Sequence, residues 1–203
     1  MNPARLVRFF LSAFVVLICI PSTIALGASR QNISLPQIFE ENQGQVPQRY
    51  RYVSHHSGIE TMFLREGVDF LLPGTNEGHQ QLGMRFIGSG NDSHVVATDP
   101  LKSHTNYLLG ADSSRWIRGV ANYGQIEYKS IYPGVDLVFY GHGSKLEHDF
   151  QVAAGADPSS IVFRLNGAEH VALGSEGDLE IHIGGETLVL KKACRLSDIS
   201  GRA

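Results

Sequence analysis

The sequence predicts an all-β fold: an antiparallel β-sandwich-like domain with few or no helices, behind an N-terminal signal segment. Short apolar runs alternate with polar residues, and Gly-, Pro- and Asn-containing turn signals separate these runs. Tests at i, i+3 and i+4 find no amphipathic helix longer than about three turns. Closely spaced short strands of this kind are typical of antiparallel sandwiches and related all-β folds.

The first 27 residues have the features of a cleavable secretory signal. Arg5 and Arg8 precede an apolar run at 9–20, and Pro21 and several small residues follow it. The run is too short to span a bilayer comfortably, and its flanks suit signal peptidase. We therefore expect cleavage near Gly27 and export to the cell surface or the extracellular space. Membrane contact is expected only through this segment, if it is retained as an anchor.

Charge and length limit the partners of the mature chain. The 203 residues carry a formal charge of −3. Removing the signal takes away two arginines and makes the charge more negative. An acidic chain has no electrostatic reason to bind nucleic acid or anionic lipid. The remaining length suits one domain or two small ones. Only Cys194 survives cleavage, so no internal disulfide is expected.

Thirteen strands are predicted, with a linker at 28–37 and one β-rich domain at 38–192. A short helical turn is expected at Ala111–Trp116. Residues 193–203 lose all alternation, which indicates an irregular or disordered tail or the product of a shifted reading frame. In chain order the predicted strands are Arg49–His55, Glu60–Leu64, Gly67–Leu72, Gln81–Ile87, His94–Thr98, Ser103–Leu109, Gln125–Tyr128, Val135–Tyr140, Lys145–Val152, Ile161–Asn166, His170–Leu173, Leu179–Ile183 and Thr187–Leu190.

Four segments carry a family resemblance: FEENQGQVPQRYRYV at 39–53, residues 99–141 from DPLKSHTNYLLG to LVFYG, LEHDFQVAAGADPSSI at 146–161, and GDLEIHIGGETLVLKK at 177–192. In order and spacing they resemble a bacterial domain of unknown function. That domain is found at the N-terminus of surface or secreted proteins, often ahead of SBBP-type β-propeller repeats.

The resemblance implies export, a mostly β fold and a longer host protein, and it implies no catalytic activity. Two departures stand out. The family usually has LEYDF where this chain has His148, and it continues past the two lysines with a proline where this chain has Ala193. The chain therefore resembles a truncated copy, and a following β-propeller domain is an expected partner.

The stretch 131–150 packs acids and histidines around a Gly-His-Gly turn. We expect a hairpin that pairs Tyr140 with Lys145 and Asp136 with Asp149. Because side chains alternate between faces, His148 should point into the core while the acids point outward. This separation argues against one catalytic group, and the expected state of His148 is a neutral core histidine with one hydrogen bond.

The acidic face of this hairpin consists of Asp136, Glu147 and Asp149. Like charges placed opposite one another are destabilising, so Lys145, a neighbouring arginine or a cation should offset them. Clustered carboxylates suit calcium, but no calcium-loop motif is present. Salt bridges or a solvated face are the main expectation, and we assign no metal, cofactor or catalytic residue.

Other motifs give weaker indications. No nucleophile elbow, phosphate loop or metalloprotease helix motif is present. The His55–His56 pair borders a turn and is expected to be exposed. Four aromatic residues could stack on sugars but are more often core residues: Trp116, Tyr123, Tyr128 and Tyr132. The segment Asn42–Gln45 should form a turn whose amides bind backbone, and it could meet a following domain.

Together these observations favour a non-catalytic exported β-module with a structural or interaction role. One alternative is an adhesion module that binds carbohydrate or calcium, with surface glycans as partners. A cryptic glycoside hydrolase that uses the carboxylate pair is the other.

Overall fold

A computed structural model describes residues 5–8, 15–19, 36–56, 58–74, 78–143 and 145–190. Within these residues the chain forms β-strands and two 3-10 turns, with no α-helix. The prediction of an all-β, antiparallel fold is therefore confirmed. No described helix has the length and apolar character needed to cross a membrane.

Fifteen strands and the two 3-10 turns, at Ser113–Arg115 and Pro158–Ser160, make up the fold. The strands are β1 Arg5–Arg8, β2 Val15–Cys19, β3 Phe39–Glu41, β4 Tyr52–His56, β5 Ile59–Leu64, β6 Gly67–Pro73, β7 His79–Phe86, β8 His94–Tyr107, β9 Ile117–Tyr132, β10 Val135–His142, β11 Lys145–Val152, β12 Val162–Asn166, β13 His170–Leu173, β14 Leu179–Ile183 and β15 Glu186–Leu190.

The strands follow the order β1-β12-β7-β6-β5-β4-β3-β9-β10-β11-β2-β15-β14-β13, and β8 pairs with β9 outside this path. The main sheet curls into a half-barrel, and β13–β15 form a small second sheet. This arrangement does not confirm the sandwich form. Phe163 of β12, in the main sheet, and Ile181 of β14, in the small sheet, belong to the same buried cluster. The two sheets therefore share one core.

Aromatic rings pack edge to face within the buried core. The ring centroid of Phe63 lies 5.6 Å from that of Phe39 and 5.3 Å from that of Phe139. Tyr128 packs on Phe86 at 5.1 Å. Edge-to-face contacts at these distances add to the stabilisation from burial alone. A smaller cluster contains Tyr50, Val53 and Met62.

Most predicted strands are present, with ends shifted by a few residues. The predicted strands His94–Thr98 and Ser103–Leu109 form one strand, β8, whose pairing with β9 shifts register between Pro100 and His104. β9 begins eight residues earlier than predicted. Asp99 has a φ of 56°, and a Cβ on Gly124 would lie 2.1 Å from the Asp99 carboxylate. The register shift between Pro100 and His104 hides the alternation on which the prediction relied.

Three further strands were missed by the prediction or lie in a segment that was assigned otherwise. β3, only three residues long, was missed because so short a strand shows no alternation. The predicted signal segment contains β1, which pairs with β12, and β2, which lies between β11 and β15. The other residues of 1–27, linker residues 28–35 and the tail at 193–203 lie outside the described residues.

Candidate functional site

The β10–β11 hairpin differs from its predicted pairing by two residues. His142 pairs with Lys145, and Asp136 pairs with Gln151 instead of Asp149. β10 continues to His142, and Gly143 begins the turn with a φ of 61°, a conformation that glycine adopts without strain. The predicted opposition of Asp136 and Asp149 is therefore wrong, and this source of like-charge repulsion is absent from the pairing.

His148 points into the core, as predicted. It is 1% exposed, and its ring lies 5.0 Å from the Phe139 ring and 6.0 Å from the Phe150 ring. Burial lowers the pKa of His148 to about 3, so the imidazole is neutral at physiological pH. The expected hydrogen bond is not made by Nδ1, which is buried without a partner.

Asp136 is bound within the fold, on the face opposite His148. Its Oδ1 accepts a hydrogen bond from the Ser130 backbone N–H at 2.6 Å, and its Oδ2 lies 3.6 Å from Lys129 Nζ. Ser130 has a φ of 51°, so this bond holds a strained backbone position. The same lysine forms an ion pair with Glu127. The hydrogen bond and the charge of Glu127 raise the pKa of Lys129, with Asp136 adding to the effect.

The other two acids of the hairpin are less exposed than predicted. Asp149 Oδ2 accepts a hydrogen bond from the Tyr140 hydroxyl at 2.9 Å, while Oδ1 is buried without a partner. Burial, followed by the bond to Asp149, raises the pKa of Tyr140. Glu147 is only 8% exposed. The predicted acidic face is thus a half-buried polar layer, and tyrosine and lysine side chains contact it.

In the described part of the chain, the geometry does not support a metal site in this polar layer. There, no group of three His, Cys, Asp or Glu side chains lies close enough together to hold an ion. Asp136 and Asp149 instead make the protein contacts given above. This arrangement suits a structural role for the acids.

The four aromatic candidates separate into two pairs. Tyr128 and Tyr132 are core residues, 0% and 2% exposed. Their hydroxyls donate to backbone carbonyls, that of Tyr128 to Gly67 at 2.8 Å. Burial raises the pKa of Tyr132 to about 12. Tyr123 packs against the edge of the core, and Trp116 lies half-buried in the β8–β9 loop. Sugar stacking by Tyr128 and Tyr132 is excluded by their burial.

The Asn42–Gln45 turn binds backbone through its amides, as predicted. Asn42 Nδ2 donates to the carbonyl oxygens of Val46, Pro47 and Tyr50, and its Oδ1 accepts from Gly44 N at 2.9 Å. Gln45 Nε2 donates to the Glu41 carbonyl at 2.7 Å. The side chain of Asn42 thus holds the loop between β3 and β4 in one conformation.

A buried polar network near the loop end of the β8–β9 hairpin was not predicted. Glu40 of β3 is only 3% exposed. Its Oε2 accepts a hydrogen bond from the Tyr107 hydroxyl at 2.6 Å, and its Oε1 lies 3.0 Å from Thr105 Oγ1. Thr105 Oγ1 also lies 3.0 Å from Asn122 Oδ1, and Asn122 Nδ2 contacts Ser103. Sequence patterns could not reveal this network, because its members are far apart along the chain.

The proton inventory fixes the direction of these hydrogen bonds. One hydroxyl proton cannot serve both Glu40 and Asn122, so the Asn122 amide must be turned to donate to Thr105. Ser103 then donates to Asn122, and Thr105 donates to Glu40. In this series of hydrogen bonds, each donor therefore lies on the side away from the buried Glu40 carboxylate, and the last one donates to it. Burial, then the hydrogen bond to Glu40, raises the pKa of Tyr107, which keeps its hydroxyl a donor.

The His55–His56 pair borders a surface pocket of about 350 Å³, together with Glu60, Leu71 and His79. His55 is exposed as expected, and its Nε2 lies 3.3 Å from the Tyr107 hydroxyl oxygen. His56 is half-buried, and its Nε2 has no partner. Adjacent strand residues point to opposite faces, so the pair does not converge on one ligand.

Comparison with known proteins gives one match. The sequence model of a family described as a domain of unknown function, DUF7948, matches residues 39–202. The chain belongs to this family. No curated protein and no solved structure matches the chain. The DUF7948 match contains the whole β10–β11 hairpin, the Glu40 network and the β8–β9 hairpin, so all of these features belong to the family domain.

Proposed function

We propose that this DUF7948 chain is a non-catalytic, exported β-module with a structural or interaction role in a bacterial cell-surface or secreted protein. We further propose that it precedes SBBP-type β-propeller repeats in its host and that these repeats are its main partner. The signal-like segment at 1–27 and the resemblance of the four sequence segments support export and this domain order.

One observation carries the non-catalytic part of the proposal: the candidate residues of the β10–β11 hairpin contact protein neighbours. Asp136 binds the Ser130 backbone and Lys129, and Asp149 accepts from Tyr140. His148 lies on the opposite face, inside an aromatic cluster. A general acid or base must reach the substrate, whereas these groups face protein neighbours.

The alternative, a carbohydrate- or calcium-binding adhesion module, rests on fewer residues than the sequence offered. Trp116 and Tyr123 are the two aromatic candidates that are not fully buried. Isothermal titration calorimetry with calcium and with a glycan panel tests it. Heat that saturates with either ligand, and that is lost in Trp116→Ala or Asp149→Asn, would favour adhesion over the structural role.

Cell fractionation followed by mass spectrometry of the N-terminus tests export. The proposal predicts a processed chain outside the cytoplasm that begins near Ala28. Such a chain lacks β1 and β2, so the edges of β12, β11 and β15 lose the partners they have in the full chain. An unprocessed chain recovered from the cytoplasm would contradict export and would make both strands permanent parts of the sheet.

A further inference from the structure

The loop that closes the β8–β9 hairpin concentrates exposed apolar side chains. Three large hydrophobic residues are exposed in the described part of the chain, and two of them are neighbours here: Leu108, 51% exposed, and Leu109, 77% exposed. The third, Leu173, lies on β13. Trp116 ends the same loop and is half-buried. Two exposed leucines beside a tryptophan form a small apolar tip.

Hydrogen bonds within the loop hold the tip in a defined conformation. Asp112 Oδ1 accepts from Ser114 N at 3.0 Å and so caps the 3-10 turn Ser113–Arg115. The indole Nε1 of Trp116 donates to the Gly110 carbonyl at 3.0 Å. The polar edge of the indole is therefore satisfied within the loop, and the ring can enter an apolar phase without an unpaired donor.

Two arginines lie at this tip, and a lysine lies farther along β8. The guanidinium of Arg118 lies 4.9 Å from the centroid of the Trp116 ring, and Arg115 is exposed in the loop itself. Lys102 is exposed on β8. Residues 102–118 contain these three basic residues and one acid, Asp112, while Glu40 of β3 binds Tyr107 from outside this segment.

The rest of the domain has the opposite charge. Residues 127–190 contain ten acids and three Lys or Arg residues. Although the net charge of the whole chain is negative, the tip is therefore basic and apolar while the rest of the domain is acidic. Near a negatively charged surface the tip is attracted while the body is repelled, which orients the hairpin toward that surface.

We propose that the tip of the β8–β9 hairpin, Leu108–Arg118, binds the surface of an anionic lipid bilayer. A protein partner fits less well, because a stable interface needs roughly 800 Å² from each partner and the tip offers two leucines and part of one indole. Insertion at the headgroup boundary needs only a few apolar side chains, with tryptophan at the interface and arginines at the phosphates. The network around Glu40 binds the end of β8 beside this tip to β3.

Fluorescence of Trp116, the single tryptophan of the chain, reports on the tip directly. The full chain is mixed with vesicles of equal parts phosphatidylcholine and phosphatidylglycerol, with phosphatidylcholine vesicles, and with mixed vesicles that carry brominated acyl chains. We expect a blue shift with the anionic vesicles, quenching by the brominated chains and little change with the neutral vesicles. Excess glycerol phosphate should not reverse the shift, because a free phosphate offers no apolar phase.

Three variants test the residues. Arg115→Gln with Arg118→Gln should weaken the fluorescence-detected affinity about 30-fold, and Leu108→Ser with Leu109→Ser should weaken it at least about tenfold. Leu173→Ser, the matched exposed leucine, should leave it unchanged. Circular dichroism checks that each variant is folded.

Any of the following results would overturn the proposal. In the first, the chain sediments with vesicles while Trp116 emission stays unchanged, which assigns binding to the signal-like segment. In the second, Leu173→Ser weakens the response as much as the tip variants, or neutral vesicles give the same response as anionic ones. Reversal by glycerol phosphate would likewise replace the bilayer with a free phosphate ligand.

Discussion

The Tyr107 hydroxyl donates a 2.6 Å hydrogen bond to the carboxylate of Glu40, a residue that is 3% exposed and lies 67 positions earlier in the chain. The bond joins β8 to β3 across the paired strand β9. A buried carboxylate is costly unless donors surround it. Tyr107 and Thr105 supply those donors, so they tie the long hairpin to the sheet.

Removing the Tyr107 hydroxyl should therefore destabilise the domain. We expect Tyr107→Phe to lower the free energy of unfolding by about 1–3 kcal/mol, because one oxygen of Glu40 is left buried without its donor. Denaturant unfolding measures the change. Ser114→Ala, which removes the exposed hydroxyl contact to Asp112, should change it by no more than about 0.5 kcal/mol. Equal effects of the two variants would contradict the role of the network.

His148 should make stability depend on pH. Burial lowers the pKa of His148 from 6.5 to about 3 in the folded state. Between these two pH values the unfolded chain binds a proton at His148 and the folded chain does not. Its contribution is fully present above about pH 6.5 and is lost as pH falls toward 3. We expect the free energy of unfolding to fall by roughly 2 kcal/mol between pH 7 and pH 5 from this group.

The His148→Phe variant should lack that part of the pH dependence, since a phenyl ring fits between Phe139 and Phe150 without titrating. Unfolding curves at both pH values for the two proteins give the difference. His142→Gln, at an exposed position in the same hairpin, should keep the wild-type loss. If His148→Phe and the wild type lose stability in parallel, His148 is not buried as described.

The ion pair between Asp69 and Arg85 should be worth more than the pair between Lys129 and Glu127. Asp69 is 1% exposed and lies 2.5 Å from Arg85, and it also accepts from Tyr50 at 2.8 Å. Arg85→Met leaves this acid buried without a charge partner, so we expect a loss of about 3 kcal/mol in unfolding free energy.

The matched control for this pair is Lys129→Met, at a position with 38% exposure. It should cost under about 1 kcal/mol, because solvent screens exposed pairs. Thermal or urea unfolding of both variants provides the comparison. A larger loss in Lys129→Met would reverse the assignment of the structural pair.

Gly167 should be far less replaceable than Gly88, although both have positive φ angles, 91° and 75°. A Cβ at 167 would lie 2.2 Å from the Gln81 backbone oxygen, whereas a Cβ at 88 meets nothing within 4 Å. Both alanine variants are destabilised by the left-handed backbone conformation. Gly167→Ala is also destabilised by the steric overlap of its Cβ with the Gln81 backbone oxygen. We expect it to lose roughly 1–3 kcal/mol more than Gly88→Ala, and equal melting temperatures would contradict the contact.

The sequence was informative wherever alternation decides the outcome. The inward position of His148 was predicted correctly although the pairing was shifted by two residues, because a shift by an even number keeps every side chain on its face. The partner of Asp136 was predicted wrongly for the same shift, since the pairing depends on the turn residues. The turn at Asn42 was predictable because its bonds are local.

The sequence could not show features that depend on distant pairing. Glu40 lies in a strand of three residues, and its donors come from β8, more than 60 positions later. The register shift between Pro100 and His104 interrupts alternation in the long hairpin, so the two predicted pieces of β8 and the early part of β9 were not connected. The curling of the main sheet likewise depends on packing between distant strands, since residues of both sheets share one core.

The most direct test of a non-catalytic module compares turnover by the wild-type chain with turnover by the double variant Asp136→Asn and Glu147→Gln. Both proteins are incubated with a panel of labelled polysaccharides and peptides. The account predicts the same background release from both proteins, because Asp136 binds the Ser130 backbone and Lys129, and Glu147 is only 8% exposed. Release by the wild type that the double variant abolishes, with the fold intact by circular dichroism, would contradict it.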